Sequence, residues 1–215
     1  MNAAEWKDTL ASVADTLRDR LPRGARAGDE RAGRGRIDQS RMTGRIVQIN
    51  LSAGGVPKLP VAEAVVTRDG IVGDRQKHTS FHGGPTRAVS LYSLELIERL
   101  RADGHPIEPG STGENVTVSG LDWPLLRPGS RLALGDEVLL EITAYASPCG
   151  AISGSFADRR VRRIAQKVNP GESRLYARVL KPGRIAVDQE VRSPAVADDQ
   201  AADSQPDGER AVSEV

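Results

Sequence analysis

Between residues 45 and 187 the chain carries eight short runs rich in Val, Ile and Leu: 45–51, 62–67, 88–92, 114–118, 131–134, 138–143, 176–180 and 184–187. Gly, Pro, Asp or Asn separates each from the next. Runs this short, punctuated this way, read as strands rather than buried helices. So many strands leave edges that must be paired or covered, and closing the sheet on itself removes them. One internal echo fits that reading. Residues 127–138 and 181–191 each run Pro-Gly turn, apolar strand, acidic turn and a second strand. Two helices interrupt. Ser93 is placed as N-cap of a helix over 94–102, with Glu95 near its positive end and Gly104 just past its stop. A strongly basic stretch, 158–167, predicts the second. The expected fold is mainly β: a β-barrel with one or two helices.

The ends differ in kind. Trp6, Leu10, Val13, Leu17 and Leu21 fall on one face of a helix over 4–21, which Pro22 and Gly24 stop. Residues 23–41 carry six Arg against Asp29, Glu30 and Asp38, a net of +3, and read as a flexible linker. Residues 193–215 are rich in Ala, Asp, Ser and Gln with a net of −5, and read as a disordered acidic tail. The expected organisation is therefore an N-terminal helix and linker over 1–41, one domain over 42–192, and the tail. Met42 opens the domain abruptly, which makes the first 41 residues dispensable on this reading; the alternative is a helical appendage that docks on a partner.

Composition narrows the function. Thirty basic and 29 acidic side chains leave +1, so no global field draws the chain to nucleic acid or an anionic membrane. No apolar run approaches the roughly 20 residues of a membrane helix, and the N-terminus does not read as a signal peptide. Cys149 is the sole cysteine of the 215 residues, which excludes an internal disulfide and points to a reducing, cytoplasmic setting.

Three segments carry chemistry. The first runs Gly-Ile-Val-Gly-Asp74-Arg-Gln, then His78, then Phe81-His82-Gly83-Gly84-Pro85-Thr86-Arg87. Adjacent glycines let backbone N–H groups form an anion-binding nest, and Arg87 offers a fork matched to phosphate or carboxylate. A tight turn with a surface arginine explains the same residues. His78 and His82 have helical metal spacing, but the Gly-Gly-Pro that follows argues against a helix and against zinc. His105, between Gly104 and Pro106, reads as a loop residue. The second segment, Thr112-Gly113-Glu114-Asn115-Val116-Thr117, opens a strand with two polar side chains of low strand propensity, consistent with a hydrogen-bonding task. The third, Ser147-Pro148-Cys149-Gly150, sets a thiol in an irregular loop after an apolar strand. There it can attack, ligate or carry sulfur, although a free cysteine is more often a small buried hydrophobe.

In this order and spacing the segments resemble the MOSC domain family, relatives of the C-terminal domain of molybdenum-cofactor sulfurases, in its stand-alone bacterial form. The resemblance covers about residues 43–192. It implies a MOSC-type β-barrel that binds molybdenum cofactor (molybdopterin), with Cys149 as metal ligand. It further implies a phosphate pocket from His82, Gly83, Gly84 and Arg87, and hydrogen bonds to the cofactor from Asp74, Glu114 and Asn115. Pyridoxal phosphate binding is associated with the family only at family level. The chain departs from the family at Thr86, where Asp is common, and at Phe81, where a basic residue is common. The implied activity is reduction of N-hydroxylated small molecules, with Cys149, His82 and Asp74 as the catalytic set. One cysteine cannot hold an iron–sulfur cluster and no flavin or nicotinamide fingerprint is present, so electrons come from a separate reductase. The alternative is a sulfur carrier bearing a persulfide on Cys149.

Overall fold

The computed structural model describes residues 42–75 and 84–193. The expected helix over 4–21, the linker, the tail from residue 194, and His78, Phe81, His82 and Gly83 lie outside the described residues.

Eleven strands are described: β1 (Thr43–Leu51), β2 (Leu59–Val61), β3 (Glu63–Thr67), β4 (Gly70–Ile71), β5 (Val89–Ser93), β6 (Val116–Ser119), β7 (Arg131–Leu134), β8 (Val138–Tyr145), β9 (Leu175–Lys181), β10 (Gly183–Ala186) and β11 (Glu190–Arg192). Seven of them close a barrel in the order β1–β11–β7–β8–β9–β5–β6 and back to β1. β5 and β6 run parallel; the remaining neighbours are antiparallel. The mainly β barrel expected from the sequence is the fold observed. One helix, α1 (Leu94–Ala102), follows β5 without a linker and puts Leu96, Ile97 and Leu100 into the core. Ser93 caps it, its Oγ accepting from the Leu96 N–H at 3.3 Å.

β1 completes the closure by splitting one edge between two partners. Thr43–Arg45 pairs with β11, and Ile49–Leu51 pairs with β2, while the opposite edge pairs with β6. A bulge between Ile46 and Gln48 bends the strand at the changeover. Alternation drives the packing: β7, β8 and β9 bury every second side chain, including Leu132, Leu134, Leu140, Ile142, Leu175 and Ala177. β5 is buried throughout, because Ser90 and Tyr92 on its second face lie under loops.

The hairpin echo is used unequally. Residues 131–145 form the β7–β8 hairpin within the barrel. In the second copy β11 joins the barrel, but β10 leaves it and pairs with β3 in a separate sheet of order β10–β3–β4.

The basic helix expected over 158–167 does not form. The stretch holds only a 3-10 turn at Val161–Ile164, with Arg159 at φ 56°. Asp158 Oδ1 accepts from the Arg160 N–H at 3.0 Å, a local turn that competes with helix initiation. Among the described residues no helix is long and apolar enough to cross a membrane.

Candidate functional site

A row of backbone bonds carries the site across four strands. Tyr176 pairs with Ser90, the Asn115 N–H donates to the Ser90 carbonyl at 2.8 Å, and the Asn50 N–H donates to the Asn115 carbonyl at 2.7 Å. These residues alternate with Leu175, Leu91, Val116 and Ile49, which belong to the core. Their side chains therefore occupy the other face of the wall, where the loops gather.

Asn115 is the hub. Its Oδ1 accepts from Ser90 Oγ at 2.9 Å and the Ser90 N–H at 3.1 Å, and its Nδ2 donates to Asp74 Oδ2 at 2.8 Å. Asp74 arrives on the segment after β4, docked on the end of β1: its Oδ1 accepts from the Ser52 N–H at 2.9 Å and the Arg75 N–H donates to the Ser52 carbonyl. Asp74 Oδ2 also accepts from Lys58 Nζ at 2.5 Å. Burial pulls the Lys58 ammonium below its ordinary value, against the opposing pull of Asp74.

Glu114 is buried and turned inward. Oε1 accepts from the Gly110 N–H at 2.6 Å and from Thr117 Oγ1 at 3.3 Å; Oε2 accepts from Thr112 Oγ1 at 2.7 Å. The carboxylate braces the loop over 108–114, and every bond it makes among the described residues is internal. Gly110 lets that loop approach the chain at Lys58: a Cβ there would sit 2.5 Å from the Lys58 carbonyl oxygen.

Arg87 ends the 3-10 turn Pro85–Arg87, and its guanidinium lies 5.6 Å from the centre of the Tyr176 ring, a cation–π contact. Thr143 Oγ1 fixes that turn by donating to the Thr86 carbonyl at 2.5 Å. Gly84, with φ 83°, faces open space.

Cys149 is exposed and precedes the 3-10 turn Gly150–Ser155. Two anchors set its loop. On the near side the Ala146 N–H donates to the Arg174 carbonyl at 2.8 Å. On the far side Ser155 Oγ bonds the Ser111 carbonyl and hydroxyl at 3.1 and 3.0 Å. His105 is a loop residue, as expected, but buried. Its Nδ1 accepts from the Ala157 N–H at 3.2 Å and its ring meets Phe156 edge-on at 5.7 Å.

The structure thus joins Asp74 to Asn115 directly and Glu114 to them through Thr117 and Asn50, sets Arg87 on Tyr176 in the same row of the wall, and ties the Cys149 loop to the loop that Glu114 braces. His82 and Gly83 lie outside the described residues. Sequence reading missed Lys58 and Arg174. Lys58 had one signal: a lone cation in Val-Pro-Lys-Leu-Pro, an otherwise apolar stretch. Among the described residues no group of three or more His, Cys, Asp or Glu side chains is arranged to hold a metal ion.

Comparison with known proteins matches residues 78–192 to the model of the MOSC domain. YflK of Bacillus subtilis (strain 168) is 31% identical over 137 residues, 61% of this chain and 59% of that protein. A protein of Gibberella moniliformis bearing the name Reductase is 32% identical over 121 residues, 54% of this chain and 21% of that protein. The chain therefore spans less than two thirds of either relative. Among solved structures, the YUAD protein from Bacillus subtilis superposes with a TM-score of 0.58 at 21% identity, covering 71% of this chain and 96% of that one. At that identity it speaks to the fold alone.

Proposed function

This chain belongs to the MOSC domain family, and on that premise we propose that it binds molybdenum cofactor and reduces N-hydroxylated small molecules with electrons from a separate reductase. The observation that carries the reading is the exposed thiol of Cys149, on a loop fixed at both ends to the walls of a polar cluster. The reductase name of the Gibberella relative supports the redox class.

The donor set fits the group. A thiolate is a soft ligand suited to a sulfur-bound metal, and nothing lies within 4 Å of the position a Cβ on Gly150 would take, so the approach to Cys149 is open. Arg87 and Gly84, with His82 and Gly83 as the resemblance implies, would supply a cation and backbone donors for the cofactor's phosphate. When bound, the cofactor supplies the two-electron chemistry. The overall reaction takes two electrons and two protons, cleaves the N–O bond, and releases the substrate oxygen as water.

The chain's own groups bind, orient and hold protons. Lys58 Nζ donates to Asp74 Oδ2, and Asp74, with His82, is the proton source on this reading. Asn115 positions Asp74 through Nδ2, and Glu114 positions the loop over 108–114. Both act through other residues.

The test is anaerobic purification from a cofactor-competent host, with metal analysis and pterin fluorescence on wild type and Cys149→Ala. Near-stoichiometric molybdenum in wild type, lost in the variant, is the expected result. A trappable persulfide on Cys149 without pterin would replace this reading with a sulfur carrier. A wild type with neither would end both.

A further inference from the structure

Arg174 stands at the start of β9, and its backbone is fixed on every side. Its carbonyl accepts from the Ala146 N–H at 2.8 Å and from Ser173 Oγ at 3.0 Å, and Trp123 Nε1 donates to the neighbouring Ser173 carbonyl at 2.9 Å. The side chain is as constrained as the backbone. The residue is 6% exposed, and the one hydrogen bond of its guanidinium among the described residues runs from Nη1 to the Thr112 carbonyl at 2.5 Å. Nε is buried with no partner among the described residues.

The charge of Arg174 has no ion-pair partner among the described residues, although the Glu114 carboxylate lies in the same buried cluster. The two buried carboxylates of the cluster are already engaged: Asp74 with Lys58, Asn115 and Ser52, and Glu114 with Gly110, Thr112 and Thr117. No ion pair joins Arg174 to a carboxylate among the described residues. A buried guanidinium with no ion-pair partner and with an orphan donor is a costly arrangement for a fold to keep. Such a group in a native wall calls for a ligand. The orphan Nε and its neighbour Nη2 form the side-on fork of the guanidinium, the edge that matches two oxygens of a planar or tetrahedral oxyanion. Gly113, beside the guanidinium, carries no side chain; a Cβ there would stand 3.8 Å from Nη1.

We propose that Arg174 is the recognition point for an oxyanion, a carboxylate or a phosphate ester, gripped side-on between the Thr112–Gly113 turn and the strand end that leads to Cys149. The ligand group supplies the acceptor that Nε lacks among the described residues. The site is distinct from Arg87, which is exposed and stacked on Tyr176. It depends on neither the metal nor the thiol.

The full chain, labelled with ¹⁵N-arginine and free of cofactor, is titrated with inorganic phosphate and, in a separate arm, with acetate. The Nε–H resonance of Arg174 is assigned through bonds from its own backbone amide, so no variant has to fold for the reading to be made. We expect that resonance to shift saturably with at least one probe, and Arg174→Lys, which keeps the charge but loses the fork, to bind at least tenfold more weakly. A shift with phosphate alone assigns a phosphate ester, and one with acetate alone assigns a carboxylate. An Nε–H resonance that moves with neither probe overturns the proposal, as does Arg174→Lys binding as tightly as wild type. Failure of cofactor loading in the Cys149 experiment leaves this titration untouched, so the two ideas fail separately.

Discussion

Lys58 Nζ donates to Asp74 Oδ2 at 2.5 Å where the two side chains are only 9% and 5% exposed, and Asn115 Nδ2 shares the same oxygen. A buried pair of this kind costs desolvation to assemble, so its net contribution is small, but removing one member leaves the other charged in a dry wall. Asp74→Ala is expected to lose about 3–5 kcal/mol. The double variant Lys58→Met/Asp74→Leu, which removes both charges at similar volume, is expected to recover at least half of that. Urea unfolding of the full chain measures both; an Asp74→Ala loss under about 1 kcal/mol would show that water reaches the pair.

Gly110 is required twice over. Its φ is 83°, and a Cβ would stand 2.5 Å from the Lys58 carbonyl oxygen, which belongs to the backbone and cannot swing aside. Gly110→Ala is expected to cost about 3 kcal/mol, strain and overpacking together. Gly129 is the control: its φ is 93° and nothing lies within 4 Å of a Cβ there. Gly129→Ala should cost only the backbone strain, about 1 kcal/mol. Equal losses at the two sites would remove the close approach as the cause.

Tyr92 is fully buried, its hydroxyl donates to the Glu172 carbonyl at 3.2 Å, and its ring meets Trp123 edge-on at 6.2 Å. Burial, reinforced by Glu114, pushes the phenol well above its ordinary value of 10.0. The folded chain therefore holds this proton where the unfolded chain releases it. The contribution is fully present below pH 10 and is lost as pH rises through the folded value. Tyr92→Phe should lose about 1 kcal/mol at pH 7 with the hydrogen bond, and should show a flatter fall in stability above pH 10. An alkaline limb as steep as that of wild type would mean that other groups set it.

Much of the barrel was legible because alternation is a local signal. β7, β8 and β9 announce themselves through every second apolar residue, and Ser93 with its following helix reads directly from sequence. β2 and β4 were not legible: each is two or three residues long, and β2 contains Pro60, so neither shows a period, while β11 was legible only through the hairpin echo. The basic helix failed for the opposite reason. Arg is a good helix former by propensity, yet the stretch over 158–167 offers Val161 and Ile164 as its largest apolar side chains, too narrow a stripe to dock on a core. Within the site, Glu114 and Asn115 stood out because polar residues at a strand's start are conspicuous, and Asp74 entered through the family resemblance. Arg174 was not, since it falls in the same alternation phase as Tyr176 and Arg178 and reads as one more outward-facing residue. What distinguishes it is a carbonyl at Thr112 and an Nε without a partner among the described residues, and neither can be seen along the chain.

The barrel is shut by a seam of three residue pairs that joins Thr43–Arg45 to Glu190–Arg192. A chain made from its N-terminus presents β1 first and must wait for β11, so through most of synthesis that edge of β1 is an open ladder of unpaired N–H and C=O groups. Contacts this far apart in sequence form slowly. During that interval β2, which follows β1 after seven residues and pairs with Ile49–Leu51 in the finished fold, is already available to cover that end of the edge. The flap outside the closed ring is thus a temporary guard for the half-made barrel, in place long before the last stave arrives.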